Sequence, residues 1–241
     1  MKTDCLVNPV RGRGEREIGG TVLLCINPGE AMTLGRYAKA EGWQRQFLYN
    51  SACWRRPEGG AALCGPAIGA PMAVMTLEKL IALGGRRFVV FGSCGALSPE
   101  LTVGALLLPT WAVSQEGTSG HYPLELTPRA SMRVHGELIN FFDRLGVVAR
   151  SGGVWTTDAP YRERREAIRG FQAQGVVAVD MEFSALITVA AFRQVELAAV
   201  MVVSDLLSGE AWQPGFNSRP YKSAISTFGR ALFGELARGR L

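Results

Sequence analysis

The chain has 241 residues, 47% of them hydrophobic and 20% charged. That length suits one α/β domain over residues 1–241, and that composition excludes a disordered or low-complexity protein. Lys and Arg number 26 against 21 Asp and Glu, a net charge of +5, but the basic residues are scattered. The densest run, Arg162–Arg169, also holds Glu163 and Glu166. This describes a solvated helix face rather than a nucleic-acid surface, and the remaining excess suits a small anion such as phosphate.

Five cysteines without a CxxC spacing, and only two histidines, argue against a zinc site and for reduced thiols in a cytoplasmic protein. Met1–Glu17 lacks the apolar stretch of a secretory leader. No apolar run approaches the roughly 20 residues of a membrane span.

In chain order, Thr21–Ile26 reads as the first strand, broken by Asn27-Pro28-Gly29 before a helix from Glu30 to Ala40. Phe47–Asn50 and Ala61–Cys64 read as short strands. The loop Gly65–Pro71 places a proline to start a helix, Met72–Leu83, which Gly84-Gly85 stops. Strand Arg87–Phe91 leads into Gly92-Ser93-Cys94-Gly95-Ala96-Leu97, read as a turn, and then strand Ala105–Leu108. Ser131–Leu145 has helical apolar spacing, Tyr161–Gln172 reads as a charged helix and Glu182–Phe192 as an apolar one. Strands Val176–Val179 and Ala198–Val203 and a closing helix, Tyr221–Arg238, complete the pattern. Strands alternating with helices indicate an α/β fold around a central sheet.

Three short segments carry the chemistry. The GSCGAL turn is followed by another apolar strand rather than a helix, so it fits neither a dinucleotide fingerprint nor a P-loop, and Phe91 excludes a GxSxG elbow. What remains is backbone N–H groups and the Ser93 hydroxyl turned to an anion, or an ordinary strand-to-strand turn. In Val179-Asp180-Met181-Glu182, the Glu182 carboxylate suits two adjacent sugar hydroxyls, with Met181 against the sugar face. It equally suits a first-turn acid, and Asp180 a helix N-cap. Asp205, read at the end of a strand, would be desolvated enough to hold a proton near neutral pH, or would simply form an Asx turn.

The order and spacing of these segments resemble the purine nucleoside and uridine phosphorylase family, which includes related nucleoside hydrolases. The resemblance runs from about Thr21 to Ser208. It includes Ile68-Gly69-Ala70-Pro71, GSCGAL, Gly117–Tyr122, Thr156–Tyr161 and Met181-Glu182. It implies a mixed, partly barrel-like sheet flanked by helices. It also implies phosphate held around Gly92, Ser93 and Cys94, a base pocket lined by Pro160 and Tyr161, and ribose held by Met181 and Glu182. Asp205 after Ser204 is similar to the purine branch, where an aspartate protonates the base.

Two phosphate arginines of the family are replaced, by Glu30 and by Val90. Arg45 matches the arginine that relatives lend across a dimer interface. The resemblance thus implies phosphorolysis of a purine-type nucleoside by a homodimer or homohexamer of nucleotide salvage, with phosphate as co-substrate and no other cofactor. Hydrolysis with Glu30 activating water is the alternative reading, and a non-catalytic nucleoside-binding protein the third.

Overall fold

The computed structural model of the chain describes residues 5–49 and 51–241. Residues 1–4, the start of the segment read as leaderless, and Asn50, the end of a predicted strand, lie outside the described residues. The elements run β1 (Thr21–Cys25), α1 (Pro28–Ala40), β2 (Gln44–Leu48), β3 (Ser51–Arg55), β4 (Ala61–Gly65), α2 (Ala70–Ala82), β5 (Arg87–Ala96) and β6 (Leu106–Gln115). They continue with α3 (Met132–Arg144), β7 (Ala149–Thr157), α4 (Arg165–Ala173), β8 (Val176–Asp180), α5 (Phe183–Phe192), β9 (Glu196–Leu206), β10 (Gln213–Pro214) and α6 (Arg219–Ala237).

The strands form one mixed sheet in the order β10-β9-β6-β7-β8-β5-β1-β4-β3-β2, with β9 also paired to β5. That extra pairing closes β5, β9, β6, β7 and β8 into a five-stranded ring, the partly barrel-like sheet expected. β1 and β4 extend from β5 in parallel, and β3 and β2 follow antiparallel. α5 is apolar all round because it is covered all round. Phe183 to Ala190 are buried, packed against α2 on one side and β9, β6 and β7 on the other. In α3 the Ser131 hydroxyl accepts the Val134 N–H, and Val134, Leu138, Phe141 and Phe142 face the core, as their spacing predicts.

The GSCGAL segment corrects the sequence reading. It is not a turn: β5 continues through Ala96 and pairs with β9 from Arg87 to the end. The register shifts between Cys94 and Gly95, a bulge that bends β5 away from β1 and towards β8. A side chain at Gly95 would meet Leu207, Val179 and Asp205 Oδ2 at 2.5–3.2 Å, so only glycine lets the three strands converge there.

This bend opens a seam. The β1 pairing ends at Phe91 and the β8 pairing begins at Gly95. Gly92, Ser93 and Cys94 between them pair with β9 alone. The crevice between two diverging neighbours of one strand is where open α/β sheets take ligands.

Candidate active site

Three polar clusters surround this seam. In the first, the Ser93 Oγ lies 2.6 Å from Asn27 Nδ2 and 2.7 Å from the Tyr221 hydroxyl. Asn27 follows β1 and precedes α1, while Tyr221 lies in the first turn of α6. Burial, and then the charge of Glu30, raises the Tyr221 hydroxyl above its ordinary value, so it stays neutral here. Glu30 sits half-buried in the first turn of α1, where the positive end of the helix dipole favours an anion.

The second cluster is built where β8 meets α5. Asp180 accepts the Thr156 hydroxyl at 2.6 Å and the backbone N–H groups of Glu182 and Phe183 at 3.0 and 2.6 Å. Its carboxylate therefore satisfies the first N–H groups of α5, although the N-cap position that the sequence reading gave to Asp180 belongs to Glu182. Glu182 is itself the N-cap residue and only 6% exposed. One of its oxygens accepts the Gly69 N–H at 2.6 Å. Burial, and then Asp180, push Glu182 up to about 8. Met181 beside it is half-buried.

The third cluster is on β9. Asp205 is 8% exposed. Its Oδ1 lies 2.6 Å from Ser204 Oγ, and its Oδ2 accepts the Trp212 indole N–H at 2.7 Å. Asp205 is the penultimate residue of the strand and pairs with Pro214, so the Asx-turn reading does not hold. Glu163 faces it from the segment before α4. Burial, and then the charge of Asp205, push Glu163 up to about 7. Cys94 lies between Asp180 and Asp205, whose charges add to burial in raising its thiol well above the ordinary range. Its thiol is thus inert lining rather than a nucleophile.

The sequence reading missed Asn27, Tyr221, Trp212 and Glu163 as site residues. Tyr221 stands 128 residues from Ser93, and no local pattern joins them. It also missed Glu116. This buried acid accepts from Ser114, Ser119 and Ser184 and from the Thr118 N–H, and so pins the Gly117–Tyr122 loop. Burial pushes Glu116 up, but those hydrogen bonds outweigh it and hold it below the ordinary carboxylate range.

A family model for the phosphorylase superfamily matches residues 22–228. The chain belongs to the phosphorylase superfamily. It is 25% identical over 215 residues to a DeoD-type purine nucleoside phosphorylase of Caldanaerobacter subterraneus, covering 83% of this chain and 89% of that one. It is 30% identical over 155 residues to the uridine phosphorylase of Escherichia coli, covering 57% and 61%. The fold matches the purine nucleoside phosphorylase of Toxoplasma gondii solved with immucillin-H, with a TM-score of 0.78, 18% identity and coverage of 93% and 92%.

Within this superfamily fold, the remaining expected residues fall apart in space. Val90 is 2% exposed and packs in the core. Arg45 is exposed on β2, four strands from β5, in a cleft of about 440 Å³ shared with Arg13, Arg16 and Arg55. Pro160 and Tyr161 form a short 3-10 turn, and Tyr161 is 97% exposed, outside the three clusters. A cavity of about 1000 Å³, outside the three clusters, is lined by Phe47, Tyr49, Pro71, Met75, Tyr122 and Phe192 together with Glu78, Lys79, Asp158 and Arg193. Among the described residues no group of three His, Cys, Asp or Glu is arranged to hold a metal, and no helix is long and apolar enough to cross a membrane.

Proposed function

We propose that this chain, as a single nucleoside phosphorylase-like domain over 1–241, cleaves the N-glycosidic bond of a purine-type nucleoside by phosphorolysis. The products are the free base and ribose 1-phosphate. The observation that supports the reading is the gap in pairing at Gly92–Cys94: Ser93 lies in it, Asp205 stands on β9, the one strand paired there, and Glu182 follows β8, whose pairing with β5 begins at Gly95.

Glu182 receives the 2′- and 3′-hydroxyls and, in an electrostatic role, supports the positive charge that develops on the sugar. Asp205 passes a proton to N7 as the C1′–N9 bond breaks, so that the base leaves neutral with the bonding electron pair. Phosphate takes the corner of Ser93, Asn27 and Tyr221 and bonds to C1′. Arg45 of a second copy is its cation, which makes the working unit a homodimer or a homohexamer of dimers. Phosphate is the co-substrate, and the reading requires no other cofactor.

One observation favours a second reading. Glu30 stands beside the Ser93 corner, where it repels phosphate but suits a base that activates water. The deciding experiment is product analysis with inosine, adenosine and methylthioadenosine, with and without phosphate. Ribose 1-phosphate formed only with phosphate supports phosphorolysis. Free ribose at an unchanged rate replaces it with hydrolysis, and binding without turnover removes both.

A further inference from the structure

Trp212 is placed in a way that packing does not explain. It is 58% exposed and touches Phe216 edge-on, with ring centroids 6.5 Å apart. Yet its indole N–H reaches in to the buried Asp205 at 2.7 Å. The residue immediately precedes β10, and pairing of Gln213 with Leu206 and Pro214 with Asp205 sets the turn that delivers it. The ion pair of Glu210, in the same turn, with Arg165 of α4 is exposed and adds little.

An indole N–H donates and never accepts. Asp205 Oδ2 is therefore an acceptor in either protonation state, and a proton on this acid belongs to Oδ1. Ser204 is equipped for both states. Its Oγ lies 2.6 Å from Oδ1 and 3.1 Å from the Cys94 carbonyl, and its hydroxyl has one hydrogen to give. With Asp205 neutral, Oδ1–H donates to Ser204, whose own O–H turns to the Cys94 carbonyl. With Asp205 ionised, the Ser204 O–H turns to Oδ1. The other ionisable side chains beside this carboxyl are Glu163, from the segment before α4, and the neutral thiol of Cys94.

We propose that Trp212 is a positioning residue for the general acid: it pins Oδ2, so that the proton passed to the leaving base comes from Oδ1. The proposal rests on the cleavage reading above, and its test separates the two. The chain has five tryptophans, and Trp212→Phe assigns the Trp212 indole signal in a ¹H–¹⁵N spectrum of the full chain. Asp205→Ala moves that signal upfield and leaves the other four in place, which also reports the fold.

In kinetics, Trp212→Phe lowers kcat on a purine nucleoside roughly ten- to hundredfold, the factor of one hydrogen bond to a charged group, while KM changes less than about twofold. A nitrophenyl riboside, whose leaving group needs no proton, loses several-fold less. An indole signal indifferent to Asp205, or equal losses on both substrates, overturns the pin. A wild-type chain that cleaves no nucleoside overturns the cleavage reading instead.

Discussion

The two ends of the seam are built to different standards. At the base end, Asp205 has a donor on each oxygen, and Glu182 has a backbone N–H, within a shell that excludes most water. At the anion end, Ser93, Asn27 and Tyr221 satisfy one another, the nearest charge is the carboxylate of Glu30, and Val90 contributes only to the core. One end can be finished within a single chain. The other awaits a cation from elsewhere, or does without phosphate. Under the proposed reading, bond cleavage and choice of acceptor are therefore separable, and mutations can address each alone.

The largest effect belongs to the base end. Asp205→Asn keeps the size and removes the proton, so turnover of inosine or adenosine falls roughly 10²–10⁴-fold. A 7-methylated purine nucleoside loses much less. Equal losses on the two substrates would make Asp205 a holder of the loop rather than an acid.

Next comes Glu182→Gln, which leaves a shape-matched side chain with one acceptor fewer. A loss of about 10²–10³ in kcat, the scale of one preorganised electrostatic contact, is expected with no fall in melting temperature. If Glu182 serves only the helix start, activity survives and stability falls by at most about 1 kcal/mol.

The anion end is tested by Glu30→Arg. Under phosphorolysis, the added cation tightens phosphate by roughly tenfold or more, the scale of one charge-assisted hydrogen bond. If Glu30 activates water, the same change abolishes phosphate-independent cleavage. Calorimetry with phosphate and product analysis read the two outcomes.

The smallest effect is a pH dependence of stability. Glu182 is raised from 4.5 to about 8 in the fold, by burial and then Asp180. Between those values the folded chain keeps a proton that the unfolded chain has released. Unfolding then releases protons, so the ligand-free protein loses stability as pH rises through that window. Asp180, raised to about 6, and Glu163, raised to about 7, add to the decline over the lower part of the window. Melting temperatures from pH 5 to 8.5 should fall, and Glu182→Gln, which cannot ionise, should flatten the fall. A wild-type profile as flat as the variant's would contradict the buried-acid account.

Much of the fold was legible because its core strands are continuous apolar runs. Val22–Cys25, Ala61–Cys64 and Leu197–Val203 are buried throughout, as such runs should be. What escaped was β7, where Ala149-Arg150-Ser151-Gly152-Gly153 hides a strand behind polar and glycine residues, and β3, whose Ser51-Ala52-Cys53 carries little β signal. Glycine also misled the reading of β5. Glycines mark turns in a local reading, but Gly95 is there to let three strands meet.

Of the candidate site, Ser93, Glu182 and Asp205 could be singled out from sequence because each belongs to a short motif in or just after its own strand. Asn27, Tyr221 and Trp212 were not, since they acquire a role only when the ring closes. Tyr161 matched the motif, yet its side chain points to solvent.

The gap in pairing along β5 has a consequence for exchange with water. Arg87 to Phe91 are held by a strand on each side, and Gly95 and Ala96 are held again by two. Gly92, Ser93 and Cys94 lean on β9 alone. Local opening follows the number of partners to be broken, so amides of these three residues that point away from β9 are the soft point of an otherwise locked strand. In deuterium oxide they should label ahead of Val89 and Phe91, although they lie in the same strand. An anion seated in the gap becomes their missing neighbour and slows their labelling without moving a single β-strand.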